Sequence, residues 1–434
     1  MSAMRRRPRR APGPGARHRD GPAPGAGTVY GIGAAPGAGT ATVHEIGSGH
    51  ETGSVHGVGA ATVPEVRNGA EVGSGHEVGS VHEVGSVHEV GSVHEVGSGA
   101  LPPTYREVRL AARPGRDPRP EHFEIVRAPL RPPAAGQVLV RNLVLRIGAA
   151  TRTLMADEQV LPMAPYQPGQ PLRGTALGAV IAAPGTSLRS GDLVRHDLGW
   201  QQYALLPAAQ VRRVDPARWP DPAACLSQGF VGWLAVDRAA RIEPGDTVLV
   251  TGAAGGVGCI AGQFARLRGA GRLIGTTGSR WKADHLTDRL GFDTVLVRGE
   301  GPIEDQLRAA APDGVDVLVD TVGGEQFRAA LALARRRARL VVVGALAGQA
   351  GGGTRTVTAL DTLALCSRGI TVSGLSAADH GADVERWEEE FSAGLRTGLL
   401  TFPHVRLTGI DRAPAALRDL LAGRHLGTVL VEPT

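Results

Sequence analysis

Lysine, cysteine and long apolar runs are the features that this sequence has least of. One lysine, Lys282, stands among 47 basic residues, so the other 46 are arginines. The three cysteines, Cys225, Cys259 and Cys366, are far apart and form no C-x-x-C pair, which excludes a disulfide framework and a four-cysteine zinc site. No run approaches the roughly 18 apolar residues of a membrane helix, and no apolar segment follows the basic N-terminus. We therefore expect a cytoplasmic protein that binds no membrane.

The charge balance gives little reason to expect a nucleic-acid partner. The formal net charge of +5 comes from 47 basic and 42 acidic residues, which is a small imbalance for 434 residues. The densest internal cluster of cations is "ARRRAR", residues 334–339. We predict that it ends a helix, where cations offset the negative end of the helix dipole, or that it forms a solvated face.

The first hundred residues contain a six-residue repeat, clearest as "HEVGSV". His76, His82, His88 and His94 recur in it, each followed by glutamate. A period of six matches neither a strand nor a helix, and valine is almost the sole large apolar residue, so we predict a disordered tail over residues 1–102. Weak metal binding, a hexapeptide solenoid and a start codon placed too far upstream are the alternatives, and inward-pointing histidines count against the solenoid.

The rest of the chain divides into three parts by its apolar pattern. Residues 103–224 alternate short apolar runs with Gly/Pro turns, which predicts an all-β unit, a partly closed barrel. Residues 225–376 alternate strands with helices, which predicts a doubly wound parallel sheet. Residues 377–434 read as a strand, a helix and a last strand. The six strands predicted for the parallel sheet are residues 247–252, 272–277, 292–298, 315–321, 339–346 and 370–376.

A glycine-rich loop follows the first of these strands. It reads "TGAAGGVGCIAG" and contains Gly252, Gly255, Gly256, Val257 and Gly258, directly before an amphipathic helix. Glycine lets the backbone approach a pyrophosphate closely, and the N-terminus of the helix offers free N–H groups and a positive dipole end. The strand before it and the helix after it predict a dinucleotide site rather than a packing turn.

The residues at the end of the second strand predict which dinucleotide binds. An NAD site has an acidic residue near the end of this strand, whereas here the chain reads "GTTGSRWK" with no acid before Asp284. Ser279, Arg280 and Lys282 stand where a 2′-phosphate would lie, and Arg298, at the end of the third strand, can reach the same place. These donors and cations predict NADP(H).

From Thr104 onward the sequence resembles the zinc-free branch of the medium-chain dehydrogenase/reductase superfamily. That branch contains the prostaglandin reductases (leukotriene 12-hydroxydehydrogenases), the alkenal double-bond reductases and the curcumin-type reductases. The stretches that carry the resemblance lie in family order over about 330 residues; they include "GQVLVRNL", "GDLVRHDLGWQQYALLP", "GAAGGVGCIAGQFARLRG", "PDGVDVLVDTVGGEQF" and "LAGRHLGTVLV". The resemblance implies a GroES-like β domain, a Rossmann domain, a C-terminal return to the first domain, and a homodimer.

The family's activity implies the reaction and several contacts. Its members transfer a hydride from NADPH to the β-carbon of an α,β-unsaturated aldehyde or ketone, and no metal is needed. By resemblance, the backbone from Gly255 to Gly258 meets the pyrophosphate, and Lys282 and Arg298 meet the 2′-phosphate. The residues implied around the nicotinamide and its ribose are Thr321, Gly344, Ala345, Leu346, Leu375 and His425.

Departures from the family pattern surround the substrate. The usual Asp-Pro-Tyr-Met-Arg segment reads "IGAATRTLM" here and keeps only Arg152 and Met155, and the usual Gly-Met-Pro-Gly-Leu-Thr-Ala-Tyr run reads "GFVGWLAV". Arg152 and Trp233 are therefore candidate substrate contacts. His425 stands in place of an asparagine and is a candidate proton donor, with capping of a helix C-terminus as the alternative.

Three functions remain open at this point. The first is a reductase of the C=C bond of enals and enones. The second is a quinone or carbonyl oxidoreductase on the same scaffold. The third is a sensor that binds NADPH without turnover, which the altered substrate segments suggest. A zinc alcohol dehydrogenase is excluded because the β domain offers no cysteine ligand, and His122 and His196 alone do not make the set.

Overall fold

The computed structural model describes residues 101–350 and 355–434. The repeat and nearly all of the tail predicted over residues 1–102 lie outside these described residues. Within them, no helix is long and apolar enough to span a membrane.

The described residues form fifteen β-strands and ten α-helices, joined by turns and short 3₁₀ segments. The strands are β1 Thr104–Leu110, β2 Phe123–Pro129, β3 Gln137–Ile147, β4 Ala176–Ala182, β5 Leu193–His196, β6 Tyr203–Pro207, β7 Arg212–Arg213, β8 Thr247–Val250, β9 Arg272–Thr277, β10 Thr294–Val297, β11 Val315–Asp320, β12 Ala334–Val342, β13 Thr371–Gly374, β14 His404–Thr408 and β15 Thr428–Glu432. The helices are α1 Ala150–Leu154, α2 Gly229–Leu234, α3 Gly258–Leu267, α4 Arg280–Leu290, α5 Ile303–Ala310, α6 Gly324–Ala332, α7 Leu346–Ala350, α8 Thr362–Arg368, α9 Val384–Thr397 and α10 Ala413–Leu421.

Six strands form the predicted parallel sheet, in the order β10–β9–β8–β11–β12–β13. All neighbouring pairs are parallel, because the crossover between two strands returns the chain to the end of the sheet at which the previous strand began. The strand order reverses between β8 and β11, which is where doubly wound sheets open a crevice for a ligand. The prediction of a Rossmann sheet is confirmed.

The arginine cluster of residues 334–339 does not end a helix, so the prediction of a helix end is wrong. α6 ends at Ala332, and the cluster begins β12. Arg335 extends from the strand to pair with Asp316 at 3.0 Å. The cation at the carbonyl end of α6 comes instead from Arg368, which donates to the carbonyls of Leu331 and Ala332. Only Ala334 and Arg339 of the cluster pair with β11; the residues between them form an irregularity in the strand, where Arg337 has a φ of +64°.

The second sheet contains the N-terminal strands and the last strand. Its order is β14–β15–β3–β4–β5–β7, with β6 paired to β3 and a separate β1–β2 pair beside it. Its pairs are antiparallel except for β14 with β15. The predicted fold class is therefore confirmed for the described residues: a GroES-like antiparallel domain plus a Rossmann sheet. The exact domain boundaries at residues 224 and 376 stay predictions.

Helix α9 joins the two sheets. On one face Trp387 and Phe391 stack at 4.5 Å between ring centroids, and both are buried in the core beside Phe230. On its other side the buried carboxylate of Glu388 accepts hydrogen bonds from three arginines of the antiparallel domain and the connection after it, namely Arg195, Arg212 and Arg218, at 2.7–3.3 Å. Apolar packing and ion pairing together fix α9 against both sheets.

Candidate functional site

The glycine-rich loop between β8 and α3 forms the centre of the candidate site. Gly252 has a φ of +58°, a conformation that glycine adopts without strain. Its N–H donates to the hydroxyl of Thr276 at 2.9 Å, and the N–H of Ala253 donates to the carbonyl of the same residue at 2.9 Å. These bonds to β9 hold the loop at the carboxyl edge of the parallel sheet, beside the point where the strand order reverses.

The loop leaves two consecutive backbone donors unused. The N–H groups of Val257 and Gly258 donate to no acceptor among the described residues, whereas the N–H of Gly256 takes part in the bridge between Gly255 and Gly427. The two unused groups lie at the N-terminus of α3, a helix of ten residues whose dipole is positive at this end. This arrangement fits an anionic group such as a pyrophosphate.

The glycines of this loop are required for different physical reasons. A Cβ on Gly258 would lie 2.5 Å from the carbonyl oxygen of Gly252, so this glycine allows the loop to fold onto its own helix. A Cβ on Gly256 would lie 2.7 Å from Oε1 of Gln228 and 2.8 Å from Oγ1 of Thr428. A Cβ on Gly255 would meet only the oxygen of Gly252, at 3.3 Å. The motif therefore serves packing at Gly256 and Gly258, while Gly255 has the most room for a ligand.

Polar groups gather beyond the end of β9, where a 2′-phosphate was predicted. Ser279 precedes α4, and its buried Oγ has no hydrogen-bond partner in the described part of the chain. Arg298 follows β10, and its Nη2 lies 3.3 Å from where a Cβ on Gly278 would be. The Arg298 side chain is exposed and makes no ion pair with a described residue. The hydroxyl without a partner and the cation without an ion pair therefore belong to residues that both adjoin Gly278.

Lys282 is buried at this place, with 3 % of its surface exposed. Its Nζ donates to the carbonyl of His425 at 2.6 Å and also to the carbonyl of Gly423. Burial, and to a smaller extent the nearby Arg298, lower the pKa of Lys282 to about 8. The lysine already holds the segment between α10 and β15, and its contact with a 2′-phosphate stays a prediction.

That segment, residues 422–427, also contacts the glycine-rich loop. The N–H of Gly427 donates to the carbonyl of Ala254 at 2.8 Å, and Gly427 forms an isolated parallel bridge with Gly255. His425 lies between this contact and Lys282. Burial lowers the pKa of His425, and its buried Nε2 has no partner among the described residues. The structure places a neutral imidazole near the phosphate end of the site, so donation to a phosphate oxygen fits better than the predicted proton donation to a substrate, which stays a prediction.

The residues predicted around the nicotinamide lie together at the ends of β11 and β12. Thr321 donates its hydroxyl to the carbonyl of Thr251 at 2.7 Å, and its carbonyl accepts from the N–H of Leu346 at 3.1 Å. A Cβ on Gly344 would lie 2.8 Å from the same carbonyl oxygen. Leu375 donates its N–H to Val342 at 3.0 Å. The turn of residues 343–346, including Ala345, therefore folds around Thr321. The hydroxyl of Thr321 already donates a hydrogen bond within the protein.

The two candidate substrate residues are both buried. Arg152 lies in α1 with 2 % of its surface exposed, and burial lowers its pKa. Trp233 is fully buried, donates its Nε1–H to Glu390 at 2.9 Å and lies 6.2 Å from Phe230 between ring centroids. Core packing accounts for Trp233 without a substrate. Substrate contact by either residue stays a prediction.

Sequence reasoning missed two polar residues at the junction of the sheets. Gln228 directly precedes α2, and Arg146 lies near the end of β3. Each directly precedes a segment that departs from the family pattern, but nothing in the local sequence brings the two positions together. Among the described residues, no cluster of three or more His, Cys, Asp or Glu side chains could hold a metal ion.

Two family models match the chain. The N-terminal domain of oxidoreductases matches residues 106–214, and the zinc-binding dehydrogenase domain matches residues 256–393. Together they cover more than half of the sequence and correspond to the antiparallel domain and to most of the parallel sheet.

Proteins similar to this chain are reductases. The NADPH-dependent curcumin reductase of Escherichia coli is 28 % identical over 332 residues, which are 74 % of this chain and 95 % of that protein. The NADP⁺-dependent 2-alkenal reductase of Nicotiana tabacum is 26 % identical over 305 residues, 69 % of this chain and 88 % of that protein. A crystal structure of CurA from Vibrio vulnificus in complex with NADPH matches with a TM-score of 0.71 and 25 % identity, covering 76 % of this chain and 99 % of that one.

Proposed function

Because the chain belongs to the medium-chain dehydrogenase/reductase superfamily, in the family of the prostaglandin, alkenal and curcumin reductases, we propose that it reduces the C=C bond of α,β-unsaturated aldehydes or ketones with NADPH. At a coarser level it is an NADP-dependent oxidoreductase of this superfamily. The observation that carries the cofactor proposal is the group of uncompensated donors beside α3 and α4.

These donors form two groups, and each group would bind a different phosphate part of the proposed cofactor. The unused N–H groups of Val257 and Gly258 would bind the pyrophosphate, with Gly255 and Gly256 allowing it to approach the loop. Ser279, Lys282 and Arg298 would bind the 2′-phosphate, since they offer a hydroxyl and two cations where an NAD site has an acid. Thr321, Leu375 and the turn of residues 343–346 would lie along the nicotinamide. When bound, NADPH supplies the hydride that the reaction consumes.

The protein's own contribution is positioning and polarity. Conjugate reduction needs no protein nucleophile; it needs a substrate held against the cofactor and donors for the oxygen that becomes negative. Helices α1 and α7 meet through a 3.0 Å hydrogen bond from Nε2 of Gln349 to Oγ1 of Thr153, and a contact of this kind between the two domains would help to keep water from the reacting groups.

The test is a panel of substrates with both cofactors. Purified protein with NADPH should consume the cofactor in the presence of enals and enones, faster than with NADH. Turnover of quinones alone would favour the second candidate function. Cofactor binding, seen by thermal shift, without loss of absorbance at 340 nm for any substrate would contradict the proposed reaction and favour a sensor.

The titration of Lys282 predicts a pH dependence that is specific for NADPH. Its pKa of about 8 means that the side chain is charged below pH 8 and neutral above it. The 2′-phosphate, with a pKa near 6, stays doubly charged over this range. The dissociation constant for NADPH should therefore rise about tenfold between pH 7 and pH 9.5, since one charge-assisted contact is lost.

Parallel titrations with NADH supply the control for that pH effect. The NADH constant should change little, and Lys282→Met should flatten the NADPH profile. Fluorescence quenching on cofactor binding measures all three series. Equal slopes for the two cofactors would contradict a role for Lys282 at the 2′-phosphate.

We also infer that two copies associate through the free edge of the parallel sheet. β13 pairs only with β12 among the described residues, so it leaves one edge unpaired. Val372 on this strand is 36 % exposed, and Leu363 on the preceding helix α8 is 76 % exposed. An unpaired edge with apolar neighbours favours pairing with another strand, and a second copy offers the same edge.

Light scattering after size exclusion tests this association. The mass should be twice the 44.9 kDa of one chain. The variant Val372→Glu with Leu363→Glu should be a monomer, whereas Leu399→Glu, at another exposed leucine, should remain a dimer. A monomeric wild-type protein would overturn the inference.

A further inference from the structure

The side chain of Gln228 occupies the junction between the antiparallel domain and the glycine-rich loop. Its Nε2 lies 3.5 Å from where a Cβ on Gly148 would be, and its Oε1 lies 2.7 Å from where a Cβ on Gly256 would be. Larger residues at either glycine would therefore meet this carboxamide. The carboxamide makes no hydrogen bond with any described residue. It is a polar group held beside the loop with its hydrogen-bonding capacity unused.

The guanidinium of Arg146 lies close to Gln228. Its neighbours on β3, Leu145 and Ile147, face the core of the antiparallel domain, so Arg146 faces the opposite side, toward the parallel sheet. Nη1 donates to the carbonyl of Leu226 at 3.2 Å, two residues before Gln228. Nη2 donates to the hydroxyl of Thr175 at 3.1 Å.

A carboxylate behind Thr175 helps to hold this guanidinium. The hydroxyl of Thr175 donates to Oδ1 of Asp197 at 3.0 Å, so its lone pairs are directed to Arg146. The guanidinium is therefore restrained by a carbonyl and a hydroxyl while it remains partly exposed. A restrained cation is preorganised, which means that it need not reorient when a negative charge forms beside it.

Arg146 and Gln228 both lie near the glycine-rich loop. Thr428 lies on β15, and its Oγ1 would also contact a Cβ on Gly256. Leu430, two residues after Thr428 on the same strand, is paired with Arg146. Arg146 and Gln228 thus lie on the side of the antiparallel domain that faces the loop. A substrate placed against a dinucleotide on that loop would have this cation and this amide within the same cleft.

We propose that Arg146 and Gln228 bind the carbonyl oxygen of the substrate and stabilise the negative charge that forms on it. This inference deepens the proposed function and rests on it. In the reaction, a hydride adds to the β-carbon with its electron pair. The π pair of the C=C bond forms a new π bond between the α-carbon and the carbonyl carbon, and the π pair of the C=O bond moves to the oxygen, which gives an enolate. A proton from water then forms the bond to the α-carbon. The guanidinium and the carboxamide N–H act on the enolate oxygen, where donors have their largest effect on rate.

Two substitutions test the pair in the full chain. Gln228→Leu and Arg146→Gln should each lower kcat for an enone by about 100-fold, as loss of one oxyanion donor does, with the NADPH dissociation constant unchanged within about twofold. Arg146→Lys, which keeps the charge, should recover part of the loss. Arg213→Gln, an exposed arginine on β7 paired with Asp192, is the matched control and should keep full activity.

A second measurement does not depend on turnover. 4-Nitrophenol is an analogue of an enol, and its phenolate absorbs near the visible range. Added to the wild-type protein saturated with NADP⁺, it should ionise at a pH about one unit lower than in buffer, and Gln228→Leu and Arg146→Gln should abolish this shift.

The outcomes separate the two proposals. Full activity of both variants on an enone would overturn the role of the pair and leave the proposed function standing. A wild-type protein that reduces no substrate would contradict the proposed function, whereas absence of the phenolate shift would overturn the oxyanion role. Parallel loss of NADPH binding in both variants would show a structural role instead.

Discussion

Reversing the charge of Lys282 should raise the KM for NADPH by about 100-fold and leave the KM for NADH nearly unchanged. A hydrogen bond to a charged group contributes about 1.5–3 kcal/mol, and the new carboxylate would add repulsion of the 2′-phosphate. Lys282→Glu should also lower the Tm, because a carboxylate would face the carbonyls of Gly423 and His425 that now accept from Nζ. Steady-state kinetics with both cofactors and thermal unfolding measure the two effects.

Three further variants separate charge from structure at this position. Lys282→Met keeps much of the volume and removes the charge together with the hydrogen bonds to the carbonyls of Gly423 and His425, without adding a negative charge. Arg298→Gln should raise the KM for NADPH about tenfold at constant Tm, since this side chain makes no ion pair with a described residue. Arg289→Glu changes an exposed residue on the same helix and should do neither. Equal changes in both KM values for Lys282→Glu would show that the lysine has only a structural role.

Removing the carboxylate of Glu388 should lower the free energy of unfolding by about 3–5 kcal/mol, the usual result of breaking a buried ion pair from one side. Three guanidiniums, of Arg195, Arg212 and Arg218, donate to this carboxylate, and its side chain is only 8 % exposed. Glu388→Ala would leave these cations close together without their common acceptor. Urea denaturation followed by circular dichroism measures the change.

Glu385 is the matched control on the same helix. It pairs with Arg212 and Arg218, but its side chain is 55 % exposed, so water can replace the lost partner. Glu385→Ala should lower the free energy of unfolding by about 1 kcal/mol or less. If both alanine variants lose the same amount, burial of Glu388 has no energetic consequence and the argument from desolvation is wrong.

The parallel sheet could be predicted from the sequence because its signals are local. Each strand is a short apolar run, and the loop from Gly252 to Gly258 follows the first strand and opens a helix. The cluster of residues 334–339 misled the prediction for a related reason. Arginine has a high helix propensity, and the pairing of Ala334 and Arg339 with β11 is not visible from the sequence of the cluster.

The candidate site could be predicted only where its character depends on single positions in the sequence. The absence of an acid after β9 and the presence of Lys282 are visible in one short stretch. The two carbonyls that hold Lys282 come from residues more than 140 positions away. Gln228 and Arg146 are likewise joined only by the pairing of β15 with β3 and by the connection that leads into α2. Contacts of this kind depend on tertiary structure and leave no local pattern.

The pairing of β15 with β3 has a consequence for how the chain folds. Leu430 pairs with Arg146, 284 positions earlier (430 − 146), so the whole parallel sheet is a segment inserted between two parts of one antiparallel sheet. Contacts this distant along the chain are slow to form from an unfolded chain, because closing a long loop costs entropy. Once the inserted segment has folded, its ends are held near each other and the effective loop becomes short. The parallel sheet is therefore expected to act as the template that brings the two parts of the antiparallel domain together.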